Sequence, residues 1–174
     1  MAFVRMAEEV GFVQYFIGPA MPKLDLDQIP QTNATGYPAP FDDPVQGRWY
    51  RRLAPVSGLT QMGASHVVLK PGAWSSQRHW HEDEDELVIM LAGEAVLVED
   101  EGETILRAGD ICAWAAGVAN GHHMINRSDR DCVFVAIGAG NRKKGGSYSD
   151  IDMMFDEAGY YHKDGTPYPT TRLI

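Results

Sequence analysis

Two histidines two positions apart, His79 and His81, stand ahead of an acidic run, Glu82-Asp83-Glu84-Asp85-Glu86. Residues at i and i+2 of a strand project to the same face, so both imidazoles can point at one ion. Imidazole nitrogens with a carboxylate suit zinc, iron, nickel or manganese. Glu86 lies at an odd offset from His81, and an unbroken strand would carry it to the opposite face. The spacing therefore predicts a bend over 82–85, with Glu86 opening the next strand and leading into the apolar run Leu87–Leu91. Glu84 and Asp85 are the alternative carboxylates, Asp85 with the shorter side chain. Taken alone, such a run is also what a solvated, charged loop looks like.

A second stretch bears on the first. Residues 109–126 read Gly-Asp-Ile-Cys-Ala-Trp-Ala-Ala-Gly-Val-Ala-Asn-Gly-His-His-Met-Ile-Asn: a turn, a short apolar strand, a second turn over Gly117–Gly121, and a strand that begins with histidine. Of the adjacent pair His122 and His123, only one can face inward. His122 is in phase with Met124 and Asn126, His123 with Ile125.

In these two stretches the chain resembles the cupin family. The first family motif, Gly-x5-His-x-His-x3or4-Glu-x6-Gly, is matched by Gly72, His79, His81, Glu86 and Gly93, with six residues after the first glycine. The second, Gly-x5-Pro-x-Gly-x2-His-x3-Asn, is matched by Gly109, Gly117, His122 and Asn126. Ala115 stands at the proline position, and four residues separate Gly117 from His122, a turn two residues longer than usual. The likeness covers about residues 60–140. It implies an all-β double-stranded β-helix, a jelly-roll barrel, and a divalent metal inside it on His79, His81, Glu86 and His122. The His-x3-Asn match sets His122 ahead of His123, which is then expected outside the barrel or at a subunit contact.

The elements that must position these residues are short strands. Candidates are Phe12–Ile17, Arg48–Leu53, Ser65–Leu69, Ala73–Ser76, Glu86–Leu91, Glu94–Glu99, Thr104–Leu106, Ile111–Ala115, His122–Asn126 and Cys132–Ile137, broken by Gly and Asp turns. Residues 1–58 carry seven scattered prolines and read as an arm with edge strands. Residues 59–140 read as the barrel core. Residues 141–174 are polar and aromatic, too aromatic for a disordered tail, and are expected to wrap the barrel or a partner subunit. All three form one domain over 1–174.

With 174 residues the chain fits a single domain, and 44% apolar with 22% charged residues is ordinary for a globular protein. A net charge of −9 with no basic stripe argues against nucleic acid. No apolar run is long enough for a membrane span, and no basic-then-apolar leader is visible, so the expected setting is cytoplasmic. Cys112 and Cys132 sit in strand-like runs and read as buried thiols. The apolar arm and aromatic tail point to a homodimer, with residues 10–18 or 48–53 at the contact.

Three histidines and a carboxylate leave open coordination positions for water, oxygen or a substrate oxygen. That admits a binder of, or an enzyme on, a small polar organic ligand; a sugar or sugar-phosphate isomerase or epimerase; and a mononuclear iron dioxygenase. The barrel fold does not decide among them. Arg78 and Trp80 alternate out of phase with the histidines and are expected in a surface ion pair and in core or interface. Val88 and Met90 are in phase with Glu86 and expected to line the barrel, Trp114 lies toward its mouth, and Tyr148 is a proton donor by residue type.

Overall fold

A computed structural model describes residues 23–169. The predicted strand Phe12–Ile17 lies outside them. Twelve short strands follow one another among the described residues, with three single 3-10 turns and one four-residue helix, α1 (Leu53–Val56). No helix among them is long and apolar enough to cross a membrane.

The largest sheet has five strands. β1 (Arg48–Arg52) lies at its edge, followed by β2 (Gly63–Leu69), β9 (Cys132–Gly140), β4 (Glu84–Ala92) and β7 (Ile111–Trp114). A three-stranded sheet of β6 (Gly102–Arg107), β5 (Glu94–Glu99) and β8 (His123–Ile125) packs against it. Alternation explains the packing. Val67 and Leu69 on β2, Val88 and Met90 on β4, and Phe134 on β9 point inward and meet Ala95, Leu97, Leu106 and Met124 from the smaller sheet. These side chains are almost wholly removed from water, and each one larger than Ala95 contributes about 1.5–3 kcal/mol of hydrophobic stabilisation. Cys132 is buried among them, and burial pushes its thiol up to about 11.

The third sheet, of four strands, is built around the histidine strand. β3 (His79–His81) pairs with β10 (Gly146–Tyr148), which continues to β11 (Met154–Asp156) and β12 (Gly159–Tyr161). The C-terminal segment is thus part of the wall that holds the histidines, rather than a wrapping around a finished barrel. Tyr37 and Val45 from the N-terminal side pack with Tyr148 and Met153 in a second core under this sheet. A bridge from His79 to His122 ties the wall to the residue just ahead of β8, and one from Trp74 to Ile125 ties the link before β3 to β8 itself.

Most predicted strands appear within one or two residues of the expected ends. Ala73–Ser76 does not become a strand. The Lys70–Gly72 turn and the Ser75 hydroxyl, which accepts from the Met124 N–H at 2.8 Å, hold it as an irregular link with one bridge. The acidic bend is shorter than predicted, since β4 opens at Glu84 rather than Glu86. Gly93, at φ 71°, closes the β4–β5 turn, where any side chain would overlap the Asp131 carbonyl.

Candidate metal centre

His79 and His81 occupy the same face of β3, as their spacing requires. The other inward element is β4. Because it begins at Glu84, both Glu84 and Glu86 face inward, while Asp85 turns outward and accepts from the Ala116 N–H at 2.9 Å. His79 Nε2 lies 3.1 Å from His81 Nε2, and Glu86 Oε2 lies 3.5 Å from His81 Nε2 and 2.9 Å from His122 Nε2. For donors about 2.1 Å from a shared centre, neighbours in the shell sit about 3.0–3.4 Å apart by simple geometry. The observed separations match that spacing, and one donor atom each from His79, His81 and Glu86 all lie within 4.8 Å of one another. These residues fit a divalent cation.

Local contacts set the ring orientations. His79 Nδ1 donates to the Gln77 carbonyl at 3.0 Å, which leaves Nε2 with a lone pair toward the cluster. His81 Nδ1 lies 3.4 Å from Glu84 Oε2, and Glu84 Oε1 accepts from Arg142 Nε at 2.6 Å. Gly138 faces Glu86 in the β4–β9 register, and a side chain there would overlap Glu84 Oε1; one at Gly63 would overlap the Arg142 guanidinium. Two missing side chains thus make room for the Glu84–Arg142 pair. His122 is held by paired backbone hydrogen bonds with His79 and stacks on Trp114 at 3.8 Å between ring centres. Trp114 in turn donates from Nε1 to Glu99 at 2.8 Å.

Electrostatics favour a cation. Burial penalises the imidazolium of His79 and pushes it down to about 3, with Glu86 opposing only in part. Burial pushes Glu86 up, but hydrogen bonds from His122 and His81 outweigh it and hold the carboxyl well below its ordinary range. At neutral pH the cluster therefore holds neutral His79 beside an ionised carboxylate, the protonation states metal ligation needs.

The cluster lies on the wall of a cavity of about 570 Å³. Tyr148 lines it, with its ring 5.7 Å from that of His79 and its hydroxyl donating to the Tyr37 hydroxyl at 3.1 Å. Burial first, then its tyrosine neighbours, raise the Tyr148 phenol far above its ordinary value.

A family model described as a cupin domain matches residues 65–138. Among solved structures, one described as a sugar phosphate isomerase from a cupin superfamily, from Silicibacter pomeroyi, is 41% identical; the match covers 85% of this chain and 97% of that one, with a TM-score of 0.80. The chain belongs to the cupin family. A candidate sugar phosphate isomerase from Acidithiobacillus ferrooxidans is 22% identical over 66% of this chain and 74% of its own, with a TM-score of 0.60. A cupin 2 conserved barrel domain protein from Salinispora arenicola is 23% identical over 70% and 89%, with a TM-score of 0.51. These two share the fold. No curated protein matches.

Within this cupin the sequence-predicted residues fall as follows. His79, His81 and Glu86 come together, and His122 joins through its contact with Glu86. His123 is buried rather than outward, donating from Nδ1 to the Ser76 carbonyl at 3.0 Å with its ring edge-on to Trp74. Asn126, the last residue of the second motif, is structural: its side chain donates to the Leu69 and Arg130 carbonyls and accepts from Ser128. Arg78 pairs with Asp100 and Asp150, tying three loops. Val88 and Met90 are core residues. Two residues escaped sequence reasoning. Glu84 was visible only as a rival to Glu86, and Arg142 carried no local signal, since neither spacing nor type tells that a residue 58 positions away pairs with Glu84.

Proposed function

We propose that this cupin is a metal-dependent isomerase acting on a small phosphorylated sugar, with a divalent ion of the zinc, iron, nickel or manganese class held by His79, His81, Glu86 and His122. The observation that carries this reading is the convergence of His79, His81 and Glu86 donor atoms on the wall of a cavity of about 570 Å³. That volume is in the range of small-molecule sites. The 41% identity to a protein named as a sugar phosphate isomerase supports the substrate class.

A divalent ion there supplies a Lewis acid that polarises a carbonyl or hydroxyl oxygen of the substrate. The remaining roles fall to side chains. Tyr148 stays protonated, and its ring lines the cavity beside His79 while its hydroxyl is held by Tyr37. Glu84, clamped by Arg142, lies 3.4 Å from His81 Nδ1, a contact that would keep Nε2 turned toward the ion. The rings of Trp114, Tyr148 and Phe155 screen the histidines from bulk water.

The test is direct. Metal-loaded protein is incubated in deuterated buffer with aldose and ketose phosphates of three to six carbons, and the products are followed by proton and phosphorus NMR. Interconversion of one pair, lost on chelation and restored by metal, is expected. Failure to convert any of them would overturn the reading.

A further inference from the structure

We propose that Arg48 and Arg52 form a phosphate-binding pole of the cavity whose wall carries the histidine cluster. Arg48, Tyr50 and Arg52 alternate on β1, and all three line the cavity. Tyr50 packs against the main core, which fixes this face of the edge strand as the inward one. Its hydroxyl donates to the Ala34 carbonyl at 3.0 Å, and the two guanidinium groups lie 5.5 and 5.8 Å from the centre of its ring. Such a plate orders the arginines without neutralising them.

Charge in the cavity is unbalanced. The lining carboxylates are Glu84 and Glu86, and the lining cations are Arg48, Arg52 and Arg142. Arg142 is matched by Glu84, and Glu86 by the imidazoles. Arg48 and Arg52 make no ion pair among the described residues, in a chain whose net charge is −9. Arg48 donates from Nη1 to the Ser75 carbonyl at 2.7 Å, but its Nε is shielded from solvent with no acceptor among the described residues. A buried guanidinium donor without an acceptor is costly, and the chemistry it fits is an anionic oxygen.

The placement suits a bridging ligand. Arg52 pairs with Ser65, Ser65 with Ala136, and Ala136 with Val88, next in phase to Glu86. The Arg52 and Val88 backbones are thus three strand spacings apart, about 14 Å. Both arginines, the cluster and the small residues Ser65 and Ala136 between them line the same cavity, a lining that suits a phosphorylated polyol of a few carbons. A phosphomonoester has three terminal oxygens and a double charge, enough for two guanidinium forks, whereas a carboxylate is satisfied by one. The assignment rests on the sugar-phosphate reading and names the group that reading needs.

The experiment is calorimetric titration of the full chain, as purified, with inorganic phosphate, and with acetate as control. Arg52→Gln is the first variant, because Arg52 makes no hydrogen bond or ion pair to lose among the described side chains; Arg48→Lys is the second. Each is expected to weaken phosphate binding by roughly tenfold or more, the loss of one charge-assisted contact. His79→Ala, which addresses the ion, is expected to leave phosphate affinity within about threefold. Unchanged phosphate affinity in both arginine variants overturns the inference, as does loss in His79→Ala alone, which would put phosphate on the ion. Acetate binding as tightly as phosphate overturns the phosphate assignment. If phosphate binding depends on the arginines while no sugar phosphate is converted, the pole stands and the isomerase reading fails.

Discussion

Glu84→Gln separates the role of this carboxylate in metal binding from its role in stability. Glu84 is 7% exposed and touches two partners: Arg142 at 2.6 Å and His81 Nδ1 at 3.4 Å. The Arg142 side chain is more than half exposed, so the ion pair is screened and its loss should cost at most about 1 kcal/mol of stability. The His81 contact is different. An ion on His81 would give the ring part of its charge, 3.4 Å from the Glu84 carboxylate. Replacing that carboxylate by a neutral amide removes the charge attraction, about 1–2 kcal/mol, or roughly five- to thirtyfold in metal affinity. The same shape is kept, so no cavity term enters. The assay is competition with a chromogenic chelator, with thermal unfolding of the metal-free protein run beside it. A drop in metal affinity with little change in the metal-free transition is expected. Unchanged chelator competition together with a lowered transition would refute the reasoning and leave Glu84 a purely structural ion pair.

The remaining expectations are as direct. Replacing both His79 and His81 by Ala should reduce bound metal from near one ion per chain to under about a tenth, measured by elemental analysis; full occupancy would remove the site from consideration. Acid should destabilise the metal-free protein. His79 is held at about 3 in the fold against 6.5 as its ordinary value, so between those the unfolded chain binds a proton that the folded one does not, and stability falls as pH drops. From about pH 7 to about pH 5.5 this residue alone should cost about 1.3 kcal/mol, and Glu86, held low, adds loss of the same sign below its unfolded value; equal denaturant midpoints at the two pH values would contradict it. Asn126→Ala strands the Leu69 and Arg130 carbonyls and should cost about 2–4 kcal/mol in denaturant titration while sparing metal affinity in the folded protein. Light scattering at micromolar concentration should give roughly twice the 19.2 kDa chain mass, and a clean monomer would count against the dimer.

Local pattern carried the strands of the two packed sheets, but not β10, β11 and β12, which the sequence offered only as a polar, aromatic tail. Alternation along Gly63–Leu69, Glu94–Glu99 and Cys132–Gly140 is a one-dimensional signal, and turn glycines such as Gly93 mark where it breaks. The same period-2 rule places His79 and His81 on one face. It could not say where the acidic bend ends. The run from Glu82 to Glu86 is uniformly charged, so no change of composition marks the start of β4. Pairing decided it: Glu84 opposes Gly140 and Glu86 opposes Gly138 on β9, which turned two carboxylates inward where the sequence had promised one. Partnership at long range was equally invisible. Arg142 reaches Glu84 from 58 positions away, through space kept open by Gly63 and Gly138. Tyr148 reaches His79 because β10 pairs with β3, a contact between segments that no local propensity specifies. The sequence alone determined which residue types could bind a cation and which strand faces would carry them. Tertiary structure alone decided which carboxylate touches which imidazole, because that depends on inter-strand register and on missing side chains in neighbouring strands, neither of which is written within any one segment.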